Sequence, residues 1–447
     1  MARRALSTSP DREKVPIKRP RLDTPALTPD DYRNGVMLAP MVRSGALPTR
    51  LFALKHGAKL VWGPEIVDKA ILHAERVVDP ATGVVSYNGQ QSKAMFSTHP
   101  LEKPYFIYQI GSSSPELAVR AALTVHQDVA GVELNCGCPK PFSTHAGMGA
   151  ALLSTPDLLI SILEALRAAL PPHISVSAKI RLLPTQEETL RLVERIVGTG
   201  VNCVTVHCRT RNMRPREKAL QHRMKEIVDF VKGLGKDVAI VENGDCVGYE
   251  DARRIRAVTG ADSVMIATAA EANPTIFSQT PLADLDTTFV PSYIRLCRYL
   301  SNYWGSTKFC VSQFKGARIS SSKSAATAVR TAVIKARGYE ELDDVISGWT
   351  GAEEFRAIEE AIARRASGPP LVMPAELAPS AHATTPDAEP EQPRVLDTPA
   401  EWRGNPDRSV VHDAPLLPTN ERRATVPAGV SGHDEATPTP APLVSVM

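Results

Sequence analysis

The sequence predicts an α/β fold: a (β/α)8 barrel of the TIM type, then a small all-helical domain, with disordered segments at both ends. Three observations predict it. Short runs rich in Val, Ile and Leu alternate with longer helical patterns about eight times between residues 35 and 290. The apolar runs are continuous, which suits strands covered on both faces, as in a parallel sheet. After Pro291 the pattern is helical only, and from Gly368 onward Pro, Ala, Thr and acidic residues dominate. Segments of that last kind cannot bury enough apolar surface to offset chain entropy.

The candidate strands, in order, are VMLAP (36–40), KLVWG (59–63), YFIYQIG (105–111), VAGVELN (129–135), ISVSAKI (174–180), VNCVTVH (201–207), DVAIVEN (237–243) and DSVMIAT (262–268). Helical patterns lie between them, among them SPELAVRAALTVHQD, TPDLLISILEALRAAL and TQEETLRLVERIVGTG. Several open at Ser, Thr or Pro and close at Gly, the chemistry expected of helix caps. A doubly wound open sheet is the rival. It would carry a Gly-rich dinucleotide turn after the first strand, and LAPMVRSG is not one. The expected organisation is a disordered basic arm (1–34), the barrel (35–290), a helical domain (291–366) and a disordered, acidic, Pro-rich tail (367–447).

The formal net charge is only +3, but its distribution is uneven. Between Tyr293 and Gly338 there is no Asp or Glu, against nine Lys and Arg residues that include Lys308 and Lys315. A run so one-sided points to a polyanionic partner, whereas an ordinary solvated helix face brings interspersed acids. The seven cysteines form an odd set without a secretory signal, which argues for a reducing, intracellular setting. No apolar run is long enough to span a bilayer. The expectation is a cytoplasmic monomer, and Lys18-Arg19-Pro20-Arg21 adds a nuclear-import patch as a second address.

Barrel enzymes place their chemistry at the C-terminal ends of the strands. Here the first strand ends in Ala39, Pro40 and Met41, the third at Gln109, and the fourth in Asn135-Cys136-Gly137-Cys138-Pro139. The fifth ends in Lys179 and Arg181, and the sixth in His207, followed by Arg209 and Arg211. The seventh ends in Asn243-Gly244-Asp245 and the eighth in Ala267-Thr268. Each is weak alone, but together they converge on one mouth.

That mouth suits a flavin. Gln109 and Lys179 match the carbonyls and nitrogens of its pyrimidine edge, and the cation favours the anionic reduced form. Backbone N–H groups at Gly244 and at the turn after the eighth strand suit its phosphate, and His207 can bond a phosphate or a ring edge. Cys138, held between Gly137 and Pro139, is a thiol largely protonated at neutral pH and so a fitting acid for the second half of a double-bond reduction. Asn135 is placed to bond the substrate edge. Zinc is the alternative for Cys136-Gly137-Cys138, but no second Cys/His pair lies at ligand spacing, so no metal is expected.

The segments LAPMVRSG, YQIG, VELNCGCPK, THAGMGAALLSTPDL, SAKIRL, VHCRTR, ENGD and MIATAAEANP together resemble the dihydrouridine synthases. They look most like the eukaryotic branch that modifies uridine 20 of the transfer-RNA D-loop. The resemblance implies that NADPH reduces FMN, that the flavin passes hydride to carbon 6 of the uracil, and that Cys138 protonates carbon 5. It implies flavin contacts from Pro40, Met41, Val42, Gln109, Lys179, His207, Asn243, Gly244 and Asp245, with Ala267 and Thr268 at the phosphate turn. Arg181 would lie near the flavin or target base, while Arg209, Arg211, Lys308 and Lys315 would meet the RNA. Two positions depart from the family: Cys208 stands where Gly is usual, and Thr268 where Arg is usual. Animal relatives add a double-stranded-RNA-binding domain, and the acidic tail here is not one. Two other readings remain open: an FMN-dependent reductase of a small pyrimidine or enone, and a non-catalytic tRNA-binding protein.

Overall fold

In the computed structural model of the chain, residues 26–89, 94–315, 323–342, 346 and 350–373 are described. Eight parallel strands close into a ring: β1 (Val36–Leu38), β2 (Val61–Trp62), β3 (Phe106–Gly111), β4 (Gly131–Cys136), β5 (Ser175–Leu182), β6 (Cys203–Thr210), β7 (Ala239–Asn243) and β8 (Ser263–Ile266). Each strand pairs with its sequence neighbour, and β1 pairs with β8 to complete the circle. All eight fall on the runs expected from the sequence. The barrel reading holds.

Alternation along the strands splits the side chains into two sets. Met37, Trp62, Ile107, Cys203, Val241 and Met265 point inward and form a core of their own. Leu38, Leu134, Ile180, Val206 and Ile240 point outward into a larger core, shared with α1 (Leu47–Lys55), α2 (Pro115–Val125), α3 (Pro156–Ala169), α4 (Gln186–Gly198), α5 (His222–Gly233) and α6 (Tyr249–Thr259). Pro at the first turn of α2 and α3, and a Thr185/Glu188 capping box on α4, start these helices where the sequence suggested.

The second strand–helix unit breaks the repeat. β2 is followed by a two-residue strand, Ile66–Val67, paired with Ile110 and Gly111 of β3, and by a four-residue helix, Asp68–Ile71. The connection then forms an antiparallel sheet of Glu75–Val78, Val85–Asn88 and Ala94–Thr98. Its Tyr87 stacks on Phe96, and Phe96 stacks on Phe106, so the sheet covers the outer wall of β3 where a helix would normally lie.

The C-terminal helices α7 (Val290–Tyr299), α8 (Trp304–Gln313), α9 (Lys323–Lys335) and α10 (Ala352–Ser367) form a layer against α1 and the β1–α1 loop. Phe289 meets Phe52 edge-on at 4.8 Å, and the Tyr293 hydroxyl bonds the Thr49 hydroxyl at 2.8 Å. Arg365 of α10 donates to the carbonyls of Leu54 and Lys59. These residues share one continuous core with the barrel's outer layer.

Two expected boundaries move. Residues 26–34, assigned to a disordered arm, close the bottom of the barrel. A 3-10 turn at Pro29–Tyr32 drives the Tyr32 ring into the inner core at 0% exposure, and its hydroxyl bonds Ser175 at 2.8 Å. The segment lacks apolar periodicity because Tyr32, with Leu27 partly buried beside the same core, is the apolar surface it contributes. Residues 367–373, assigned to a disordered tail, also return to the barrel: the Met373 amide donates to the Asn34 carbonyl at 2.9 Å, and Arg256 donates to the Met373 carbonyl. The rest of both terminal segments, including Lys18–Arg21, lies outside the described residues.

The acid-free run is less naked in space than in sequence. Arg295 pairs with Glu354 of α10, and Arg330 with Asp286 before α7 at 2.6 Å. Acids from either side of the run neutralise these two cations.

Candidate active site

Because side-chain period is two, the parity of the inner core carries upward to the C-terminal rim. Gln109, Glu133, Asn135, Lys179, Arg181, His207, Arg209 and Asn243 share that parity, and the register sets Asn135 beside Lys179 and His207 beside both Arg181 and Asn243. The strand-end residues read from the sequence therefore do line one mouth.

Its floor is a buried polar chain. Asn135 donates to Gln109 Oε1 at 3.3 Å, and Gln109 donates to Glu133 Oε1 at 2.8 Å, with Glu133 wholly enclosed. Burial pushes the Glu133 carboxyl up to about 7, against the pull of Gln109 and Lys179. Burial likewise lowers Lys179, to about 8, with Glu133 opposing. Burial and the charges of Lys179, Arg181 and Arg209 push His207 down to about 2, so its imidazole is neutral at physiological pH. Arg209 Nη1, which can only donate, faces His207 Nε2 at 3.3 Å, and this assigns the imidazole proton to Nδ1.

Cys138 stands in the loop after β4. Asn135 Oδ1 accepts from the amides of Gly137 (2.9 Å) and Cys138 (3.1 Å), and the Cys138 carbonyl accepts from Ala150 at 2.9 Å. Arg181 ties the Gly137 carbonyl (2.7 Å) to that of Thr210 (3.0 Å), bracing the β4 and β6 loops. Gly149 has φ +58°, and a Cβ there would lie 2.6 Å from the Cys138 carbonyl oxygen, so only glycine closes this loop. Cys138 is half-buried, while the other six cysteines are buried. Burial, then the Glu65 charge, pushes its thiol above the usual range, so it is protonated at neutral pH. Cys136, two residues earlier, lies in the outer core and donates weakly to the Leu134 carbonyl. Among the described residues no group of His, Cys, Asp and Glu could hold a metal.

Several expected contacts have other partners. Asn135, expected to bond substrate, spends its oxygen on the loop that carries Cys138. Arg209, expected to meet RNA, is buried on the carbonyls of Glu217 and Pro215, the Asp245 carboxylate and His207. Asp245, expected at the cofactor, accepts from Arg209 and from the Ala219 amide at 2.7 Å, with φ +58°. Together they pin the exposed β6–α5 loop that bears Arg211. Asn243 donates to the Met265 carbonyl at 2.9 Å, and the Gly244 carbonyl accepts from Gln221. Pro40, Met41 and the exposed Val42 follow β1, while Ala267 and Thr268 open a five-residue helix after β8. Lys308 lies on α8, where it donates to the Ala336 carbonyl. Lys315 is exposed, and its amide bonds Ala272 at the end of that five-residue helix.

The sequence reading missed Glu65, Glu133 and Ser143. Glu133 had a signal, since it sits two residues before Asn135 on one strand. Glu65 had one too, as the polar residue beyond β2. It borders a cleft of about 650 Å³ between the antiparallel sheet, the β1–α1 loop and the α7–α8 turn.

Residues 37–366 match the family model described as dihydrouridine synthase. The chain is 49% identical over 290 residues to a tRNA-dihydrouridine(20) synthase [NAD(P)+] of Schizosaccharomyces pombe, covering 63% of this chain and 60% of that protein. It is 41% identical over 301 residues to the protein of the same name from Saccharomyces cerevisiae, covering 63% of this chain and 77% of that one. A tRNA-dihydrouridine(20a/20b) synthase [NAD(P)+] of S. cerevisiae is 29% identical over 241 residues, 54% of this chain and 60% of its own length. The chain thus spans less than two thirds of the fission-yeast relative. The family match covers both the barrel and the helical layer, and the chain belongs to the dihydrouridine synthase family.

Proposed function

We propose that this chain reduces a D-loop uridine, position 20, of transfer RNA to dihydrouridine. One observation carries the reading: a single half-exposed, protonated thiol is locked over a mouth that also presents a lysine and a neutral histidine.

The residues fit a flavin. The Lys179 ammonium donates no hydrogen bond to the protein among the described residues, and His207 keeps an Nδ1 proton for an acceptor in the mouth. Lys179 would hold the pyrimidine edge of FMN, with Gln109, whose amide already bonds Glu133 and Asn135, as the floor behind it; His207 and the turns at Gly244 and Thr268 would hold its phosphate, and Pro40–Val42 one flank. When bound, FMN reduced by NADPH supplies the hydride for carbon 6 of the uracil. Everything else falls to this chain's own groups. Asn135 and Ala150 fix the Cys138 backbone, so the thiol hydrogen has one approach to carbon 5. Burial keeps that hydrogen on sulfur until the ring accepts it. Arg181 holds the Cys138 loop against the β6 loop, and Arg211 and Lys315, both exposed near the mouth, suit RNA phosphates.

Purified protein should be yellow and release FMN on denaturation. Transfer RNA from cells lacking it should lose dihydrouridine at position 20. Cys138→Ala should retain flavin and lose at least about 100-fold in dihydrouridine formation. Equal turnover on free uridine would favour a small-molecule reductase, and a protein that binds transfer RNA but no FMN would mark a non-catalytic binder.

A further inference from the structure

Each proton that Cys138 gives away has to be replaced, and its thiol is half-buried, with one side turned to the protein. Glu65 lies at that point. Its side chain crosses Gly111, where a Cβ would come within 2.6 Å of Oε1. Oε1 accepts from Ser143 Oγ at 3.3 Å. Ser143 belongs to the Cys138 loop: the one Cβ position at Gly149 would touch both Ser143 Oγ and the Cys138 Cβ (3.0 Å). The other oxygen, Oε2, is buried without a hydrogen bond of normal geometry, and the polar groups beside the carboxyl are the Cys138 thiol and the Asn135 side chain. On its far side Glu65 borders the cleft of about 650 Å³ that opens to solvent.

We propose that Glu65 is the proton relay of Cys138, carrying protons from the solvent-filled cleft to the thiolate left after each reduction. This rests on the proposed dihydrouridine chemistry. The step balances without a co-reactant: the Glu65 carboxylate takes a proton from water in the cleft, the hydroxide leaves to bulk buffer, and Glu65 passes that proton to Cys138 S⁻, so the pair returns to a carboxylate and a thiol. Glu65 acts through Cys138 and touches neither hydride nor base. Burial raises its carboxyl above the ordinary range, which brings it nearer to the thiol it must serve. The other charged groups facing the pair are Lys179 and Arg181 from β5, and Arg43 and Arg50 across the cleft.

The test compares one turnover with many, using flavin-loaded full chain and transfer RNA. In Glu65→Gln the pre-reduced enzyme starts with Cys138 protonated, so its first uridine should react near the wild-type rate. Steady-state turnover should fall roughly 10-fold or more and recover partly with added formate or acetate. Single and multiple turnover falling together would mean a structural role and overturn the proposal, as would no change in either. A second readout needs no RNA: iodoacetamide alkylation of Cys138 against pH. Loss of the Glu65 charge should lower the midpoint by on the order of one unit, and an unshifted profile would overturn the proposed contact. If wild-type protein makes no dihydrouridine, the functional reading fails while alkylation still decides whether Glu65 and Cys138 are coupled.

Discussion

Glu242 offers a quantitative test of how this barrel is packed. It lies on the outer face of β7, opposite Val206 of β6, at 0% exposure, and neither oxygen has a hydrogen bond of normal geometry among the described residues. Burial is the main cause that lifts its carboxyl to about 8. The Asp245 charge adds to the shift, while the Cys208 thiol and Gln221 oppose it. In the unfolded chain the same group titrates near 4.5. As pH rises above that value the unfolded chain gives up the proton while the folded one keeps it, until the folded carboxyl also ionises near 8. Folding stability from this group is therefore fully present below 4.5 and is lost across that window, at about 1.4 kcal/mol per pH unit. At pH 7 the loss is about 3 kcal/mol, a large share of a typical domain's stability. Glu242→Gln cannot ionise. Its stability relative to wild type should climb by about 1.4 kcal/mol per unit from pH 5.5 to 7.5 and level off above 8. Any cost of burying the amide adds an offset independent of pH. Urea unfolding of both proteins at four pH values from 5.5 to 8.5 measures this, and parallel stability curves would refute the reasoning.

Three further perturbations follow from the contacts. Arg50 and Glu102 form a bidentate pair at 2.7 and 2.9 Å, both almost wholly buried. Arg50→Ala should cost about 3–5 kcal/mol in urea unfolding, and adding Glu102→Leu should return part of it by removing the stranded charge. Tyr32→Phe should cost about 1 kcal/mol by removing the buried Tyr32–Ser175 hydrogen bond, and Tyr32→Ala about 3–5 kcal/mol by emptying the barrel floor. A denaturation midpoint unmoved by Tyr32→Ala would show that residues 26–34 do not seat as described. Asn135→Ala frees the amides of Gly137 and Cys138. Dihydrouridine formation should drop about 100-fold with flavin content retained, because a thiol displaced by about 1 Å loses its line of approach.

The fold was legible because its signals are local. Eight continuous apolar runs with capped helices between them encode a parallel barrel however the layers pack. What was not legible depends on long-range packing. Tyr32 sits among polar and basic residues, and nothing around it shows that its ring closes a barrel whose Ser175 lies 143 positions away. The antiparallel sheet after β2 hid for a different reason. Its edge strand Glu75–Val78 is exposed along its whole length, so it lacks the buried alternation that marks a strand. The acid-free run overstates the free charge of two of its nine cations, since charge counted along a chain ignores Glu354 and Asp286, which reach Arg295 and Arg330 from outside it.

The site divides the same way. A strand ending in Lys179 and another ending in His207 announce a shared mouth, because parallel strands all end on one side of a barrel. Residue type and position do not reveal how far each group is already spent. Arg209 and Arg211 look equivalent in the sequence. Parity turns Arg209 inward, where it is consumed by His207, Asp245 and two carbonyls, while Arg211 lies beyond the strand on an exposed loop. Asn135 and Cys138 look like two ligands of one substrate, yet the oxygen of the first holds the backbone of the second. The strand-end residues read from the sequence do share one mouth, and the hydrogen bonds divide them into groups that remain open to a ligand and groups that hold them in place. Lys179, His207 Nδ1 and the Cys138 thiol are the open ones, and they are the groups on which the proposed function rests.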